Sequence, residues 1–188
     1  MVIKKKMNSG NKYNVEWAKN QVIPEFIFFY SHKSYDNKIT KGCLSQFWPC
    51  KFKSNNIEYN CAEQYMMSEK AKLFKDEQTY QLILKETIQG KIKKLGRQVK
   101  NFNKEVWDKN KENIVINGNI LKFSQNEKLK KFLIETGDKI LVEASKNDSI
   151  WGIGLEESNP DVKYPSKWKG QNLLGFSLML VRDIIKNK

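Results

Sequence analysis

From residue 61 onward, apolar positions recur mostly at helical spacing, in segments separated by short polar breaks. "CAEQYMMSEKAKLF" (Cys61 to Phe74) reads as the first strong helix, with Asn60 as N-cap and Glu63 completing a capping box. "DEQTYQLILKETI" reads as a second helix opened by Asp76, and "GKIKKLGRQV" as a short third that ends near Gly96. "NKEVWDKNKENIVINGNILKF" carries a long helical pattern that Gly118 and β-branched residues weaken. "NEKLKKFLIETG" is amphipathic and stops at Gly137, as at a C-cap glycine, and "GQNLLGFSLMLVRDIIK" closes the chain as a helix.

Strand patterns are fewer. "KILVEAS" is the clearest, and "IPEFIFFYS" reads as a strand or extended segment. "CLSQFWPCKF" is broken by Pro49 and reads as irregular or short strand. "SHKSYDNKITKG" is loop-like, and "NNIEYN" holds turn residues that lead into the first helix. The pattern predicts an α+β fold: a predominantly helical single domain with a small sheet over residues 23–188. Residues 1–22 are expected to form a basic, flexible N-terminal segment.

Composition narrows the classes. The chain has 188 residues, 39% of them hydrophobic, enough for one real core. No apolar run reaches the roughly 20 residues of a membrane span, and no apolar stretch of a secretory signal follows the basic start. No membrane partner and a reducing, cytoplasmic location are expected. Three cysteines (Cys43, Cys50, Cys61) without CxxC spacing argue against a disulfide framework, and with His32 they match no familiar zinc pattern. No metal or other cofactor is expected.

Net charge is +13, which points to anionic partners; a lysine-rich coding bias would give the same balance. Arg97 and Arg182 are the only arginines among 34 basic residues, so two guanidinium groups are expected to have specific tasks. With one histidine and no GxSxG, HExxH or GxxxxGK[ST] motif, any acid–base chemistry falls to carboxylates.

Three constellations stand out. Glu63 and Lys70 lie seven residues apart on one helix face with Met66 and Met67 between them. That spacing suits a capping Glu and a solvated Lys, and also a tuned carboxylate. "DSIWGIGL" (Asp148 to Leu155) sets an acid and Trp151 in a glycine-bearing loop after a predicted strand. It is too short for a dinucleotide fingerprint; Gly152 and Gly154 permit close backbone approach, and Trp151 suits either the core or stacking on a base or sugar. "LGRQVKNFNKEVWDKN" offers Arg97, Lys100 and Trp107, which suit a phosphorylated, base-bearing ligand or an ordinary amphipathic helix pair.

Taken in series, "CAEQYMMSEKAKLFKDEQT", "LGRQVKNFNKEVWD", "KFSQNEKLKKFLIETGDKILVEASKNDSIWGIGL" and "WKGQNLLGFSLMLVR" resemble the NADAR/YbiA family, and "FIFFYS" and "CLSQFWPCKF" match its aromatic N-terminal part. The resemblance spans about residues 25 to 186. It implies N-glycosidase chemistry: removal of ADP-ribose from guanine in nucleic acid, or hydrolysis of phosphoribosylated intermediates of riboflavin synthesis. It also implies a site. Glu63 and Asp148 are the expected catalytic carboxylates, and Lys70, Arg97, Trp107, Trp151 and Gly152 the expected substrate contacts. The long loop "SHKSYDNKITKG" is expected to tune substrate choice. A non-catalytic ADP-ribose or NAD-binding module, and a nucleic-acid binder acting through charge, are the competing expectations.

Overall fold

The computed structural model describes residues 11–32 and 38–187. In chain order the elements are α1 (Val15–Lys19), β1 (Phe26–Phe29), a 3-10 turn (Lys41–Leu44), β2 (Phe52–Ser54) and β3 (Ile57–Tyr59). Then come α2 (Ala62–Leu73), α3 (Glu77–Lys85), α4 (Gln89–Arg97), α5 (Lys104–Ser124), α6 (Glu127–Glu135) and β4 (Ile140–Glu143). Two further 3-10 turns (Pro160–Lys163, Pro165–Lys167) precede α7 (Leu173–Lys186). The helical patterns read from the sequence all form, and the α+β class holds: seven α-helices against two small sheets among the described residues. None of these helices is long and apolar enough to cross a membrane.

Helix α7 is apolar around most of its circumference; Leu174, Phe176, Leu178, Met179, Val181 and Ile185 are all buried. It is therefore the central helix, packed on α5, α6 and β4. β1 runs parallel to β4, with Phe26 opposite Ile140 and Phe29 opposite Glu143. The last residue of β4 is thus fixed against the far end of the chain.

"NNIEYN" is more than a turn. Asn55 and Asn56 both adopt positive φ (48° and 65°), as a two-residue hairpin turn requires, and join β2 to β3. Phe52 stacks on Tyr59 across the hairpin at 5.8 Å, and Tyr65 of α2 closes edge-on at 5.2 Å from Tyr59. This second small core ties α2 to the hairpin.

Gly118, which weakens α5 by propensity, lies where α5 meets α2. A Cβ there would come within 2.6 Å of a Tyr65 ring carbon. Gly118→Val should therefore cost about 1–3 kcal/mol through overpacking, read by urea denaturation. A loss below about 0.5 kcal/mol, the range of ordinary surface changes, would show that the helices have room to part.

The basic N-terminal segment differs from its expectation in residues 11–22, which hold α1. Asn14 caps α1 by accepting from the Trp17 N–H at 2.8 Å, and Ala18 is buried. The Tyr13 hydroxyl donates to Asp183 of α7 at 2.7 Å, and Lys12 pairs with the same carboxylate at 2.8 Å. Tyr13 and Trp17, masked by a basic composition, supply the apolar contact that docks the segment. Residues 1–10 lie outside the described residues.

Candidate active site

The helix that carries Glu63 starts one residue later than the capping-box pattern places it. Cys61 occupies the N-cap without a side-chain cap bond. Gln64 takes the reach-back role expected of Glu63: its Oε1 accepts from the Asn60 N–H at 2.7 Å. Its Nε2 donates to the Ile83 and Glu86 carbonyls at 3.0 and 2.9 Å, pinning the end of α3. Glu63 is left free for other work. Its backbone N–H donates to the Gln46 carbonyl at 2.9 Å, while its side chain is buried and Oε1 has no hydrogen-bond partner. Burial pushes this carboxyl up to about 7; Asp148 adds to the rise, and Lys93, Arg97 and Lys70 oppose it.

The loop after β4 brings Asp148 to the same place. Asp148 Oδ1 accepts from the N–H groups of Ile150 and Trp151 at 3.0 and 2.8 Å, so one carboxylate oxygen braces the loop. Trp151 is half-buried against the main core. Gly152 is buried beneath the loop, and a Cβ there would lie 2.7 Å from the Glu143 carbonyl oxygen. The role the geometry shows for Gly152 is this close approach of backbone to backbone. Asn172, buried with φ 52°, fixes the strand end from outside: its Nδ2 donates to the Leu141 carbonyl at 2.9 Å and its Oδ1 accepts from the Glu143 N–H at 3.0 Å.

Sequence reasoning did not single out Glu143. It ends β4, and its Oε2 is buried without a partner. Burial pushes it up to about 8, with Asp148 and Glu63 raising it and Lys93 lowering it. The one sign in the sequence is an acid closing the otherwise apolar run "ILVE". Lys93 of α4 also went unremarked; its ammonium sits 5.6 Å over the Phe47 ring and within electrostatic reach of both glutamates.

On the cation side, Lys70 donates to the Gly96 carbonyl at 2.8 Å. It lies 4.5 Å from the Phe102 ring centroid and 5.5 Å from that of Trp107. Burial lowers its pKa, and Glu63 counters part of that. Trp107 is half-buried and Arg97 exposed on the last turn of α4. The structure thus gathers Glu63, Asp148, Lys70, Arg97 and Trp107 of the expected residues, with Trp151 tied to Asp148 by its N–H, and adds Glu143 and Lys93. Lys100 is directed away, donating to Gln78 at 3.1 Å.

Arg182 has a different task. It is buried, and its Nη1 donates to Thr136 Oγ1 at 2.8 Å and to the Lys139 carbonyl at 2.9 Å, tying α7 to the turn before β4. The cysteines are free thiols. Burial pushes Cys43 and Cys61 up to about 12, and such thiols are poor nucleophiles. His32 sits edge-on to Phe47 at 5.6 Å. Among the described residues no three His, Cys, Asp or Glu side chains are disposed to hold a metal ion. Positions 33–37 of the loop expected to tune specificity lie outside the described residues.

The arrangement places buried carboxyls with unsatisfied oxygens beside cations and aromatic faces. Such a site can exchange protons near neutral pH while holding an anionic, ring-bearing ligand. Known proteins resemble this chain over most of its length. A viral relative, an N-glycosidase of Acanthamoeba polyphaga mimivirus, is 46% identical over 164 residues, covering 85% of this chain and 95% of its own. An N-glycosidase of Nostoc punctiforme is 30% identical over 146 residues, covering 78% of this chain and 86% of its own. The NMR structure of the Escherichia coli protein YbiA superposes with a TM-score of 0.67 at 25% identity, over 90% of this chain and 92% of that one. The NADAR domain model matches residues 28–186, which include every site residue named above, and the chain belongs to the NADAR domain family.

Proposed function

We propose that the protein is an N-glycosidase that hydrolyses a ribose–nitrogen bond, and that its substrate is ADP-ribosylated guanine in nucleic acid. The observation that carries the chemistry is Glu63: a buried carboxyl, unpaired at Oε1 and held at about 7, beside three cations and a second acid. Near neutrality such a group is protonated and ionised in comparable amounts. It is fit to give a proton to a leaving nitrogen or to take one from attacking water. Breaking the bond leaves positive charge on the sugar, which a carboxylate at the anomeric carbon stabilises.

Asp148 has the second role. One oxygen braces the loop, and the other is free to orient the ribose or the water. Trp107 and Trp151 supply faces for the base, Arg97 and Lys70 the charge for a phosphate or diphosphate. Two N-glycosidases among the relatives support the bond type. The net charge of +13 supports a nucleic-acid substrate over a small phosphoribosyl compound.

The test is mass spectrometry of products from ADP-ribosylated guanine oligonucleotide and from a phosphoribosylated riboflavin-pathway intermediate, run in parallel. Release of ADP-ribose from the first alone is the expected result. Turnover of the second alone would move the assignment to that small molecule. Tight calorimetric binding of ADP-ribose with no product from either would make the protein a binding module. Affinity that depends on salt but is unmoved by Glu63→Gln would make it a charge-driven nucleic-acid binder.

A further inference from the structure

Charge is not spread evenly along the chain. Residues 85–111 hold nine basic residues against three acids, nearly half of the net +13 in about a seventh of the length. The stretch before it, residues 61–84, holds three basic residues and four acids. A coding bias towards lysine would load both alike, so the clustering has a cause of its own. Within it, α4 turns Ile92 and Gly96 into the core, where it packs on α2. Its four cations, Lys91, Lys93, Lys94 and Arg97, fall on the opposite arc of the helix. Lys93 and Arg97 lie within electrostatic reach of Glu63, and Lys94 and Lys91 carry the charge onward round the helix. Among the described residues no ion pair engages Lys91, Lys94 or Arg97.

Beyond α4 the chain turns out to Phe102, which is 47% exposed. Its ring is nonetheless held. Asp76 accepts from the Lys100 N–H at 2.8 Å, and Asn101 takes the left-handed φ of 55° that turns the chain. The ring meets buried Phe74 edge-on at 5.2 Å. The Lys70 ammonium that bonds the Gly96 carbonyl lies 4.5 Å from this ring and 5.5 Å from that of Trp107. An exposed ring therefore stands next to the half-buried one at the site. So placed, it buries less apolar surface than a core ring would, but it offers a preformed π face.

We propose that Phe102 and the cation arc of α4 form a track for a single strand of nucleic acid running past the site, with Phe102 stacking on an unpaired base beside the modified one. This rests on the nucleic-acid reading of the substrate and deepens it. The cations neutralise phosphates whatever the sequence, and stacking accepts any base, since every base has a π face. A duplex does not fit this track, because its bases turn their faces to one another and only an unstacked base can meet Phe102.

The experiment follows fluorescence anisotropy of a labelled, unmodified single-stranded DNA of about ten nucleotides on adding the full chain, between about 50 and 200 mM salt. Phe102→Ala should weaken binding about tenfold, the order of one lost base–aromatic stack, with the salt dependence unchanged. Phe102→Leu keeps the packing on Phe74 without a π face; it should lose about as much, and it carries the test should the alanine variant not fold. Phe102→Trp should bind as wild type does. Lys94→Ala should reduce the slope of log affinity against log salt by about 0.7, one phosphate contact on a single strand. Lys128→Ala, which removes an exposed lysine of α6, should leave that slope unchanged. A folded Phe102→Leu variant within about twofold of wild type, well short of a lost stack, overturns the stacking. Equal loss of slope from Lys94→Ala and Lys128→Ala overturns the track and assigns binding to net charge. Equal affinity for a duplex of the same sequence overturns the single strand. Because the probe carries no ADP-ribose, the expected pattern without turnover of any ribosyl substrate would uphold the track and sink the N-glycosidase reading. Release of ADP-ribose from an oligonucleotide, with binding unmoved by Phe102→Leu, would do the reverse.

Discussion

Glu63→Gln should reduce turnover of the ribosyl substrate by ~10²–10⁴-fold, the usual loss of a general acid–base group. The variant should also unfold less readily than wild type at neutral and higher pH. Both effects follow from one fact, the upward shift of a buried carboxyl to about 7 from an ordinary 4.5. Below the ordinary value the folded and unfolded chains both hold the proton, and the carboxyl costs nothing extra. Between the two values the unfolded chain has released its proton and the native state keeps it, so stability falls as pH rises. Above about 7 the full penalty is present. Glutamine has the shape without the titration and removes that penalty, a gain on the order of 1–3 kcal/mol after the cost of burying an amide. Denaturation of both proteins at about pH 5 and about pH 8, on either side of the shift, should show a gap that widens with pH. Wild-type turnover by a folded Glu63→Gln variant would remove Glu63 from the mechanism. A gap independent of pH would show that its carboxyl is not tuned.

Lys122→Met should cost about 2–4 kcal/mol of stability. Lys122 is fully buried in α5, and its ammonium donates to the carbonyls of Cys43 and Ser45 at 2.7 and 2.8 Å. Each bond to a charged donor is worth about 1.5–3 kcal/mol, and each orphaned carbonyl adds its own desolvation cost. Relief of the buried ammonium, whose pKa burial lowers, offsets part of the loss. Methionine keeps the apolar stem, so cavity terms stay small. The site should feel the change as well. Lys122 holds the 43–46 turn, Asn119 holds Gln46 through its side chain at 2.9 Å, and the Gln46 carbonyl receives the Glu63 N–H at 2.9 Å. Loosening the turn should lower kcat more than it raises KM. A stability loss under about 1 kcal/mol in guanidinium denaturation, less than a single such bond, would mean the turn is held by other contacts.

Most helices were legible because they carry their own runs of apolar positions, and α7 in particular is apolar around most of its circumference. The strand pair was half legible. "KILVEAS" and "IPEFIFFYS" read as extended, but nothing local says that they lie side by side and parallel. Glu63 stood out through its block of sequence, yet its capping role went to Gln64, because cap assignment turns on a one-residue shift in the helix start. Asp148, Trp107 and Arg97 were legible from the same resemblance. Glu143, Lys93 and Lys122 were not, since each acquires its meaning from partners on other elements. Of the two arginines, Arg182 locks α7 to the approach of β4, while Arg97 lies exposed on the last turn of α4, within electrostatic reach of Glu63.

The side chain of Asn172 meets β4 much as a neighbouring strand would, giving one N–H to Leu141 and taking one from Glu143. An isolated two-stranded sheet leaves a row of unpaired backbone groups along its outer edge, an invitation for another chain to add a strand. A single amide closes that edge where β4 delivers its acid to the site. With Leu141, Val142 and Asn172 all fully buried, the outer edge of the strand is satisfied from within the chain, and β4 reaches the site with no third strand beside it.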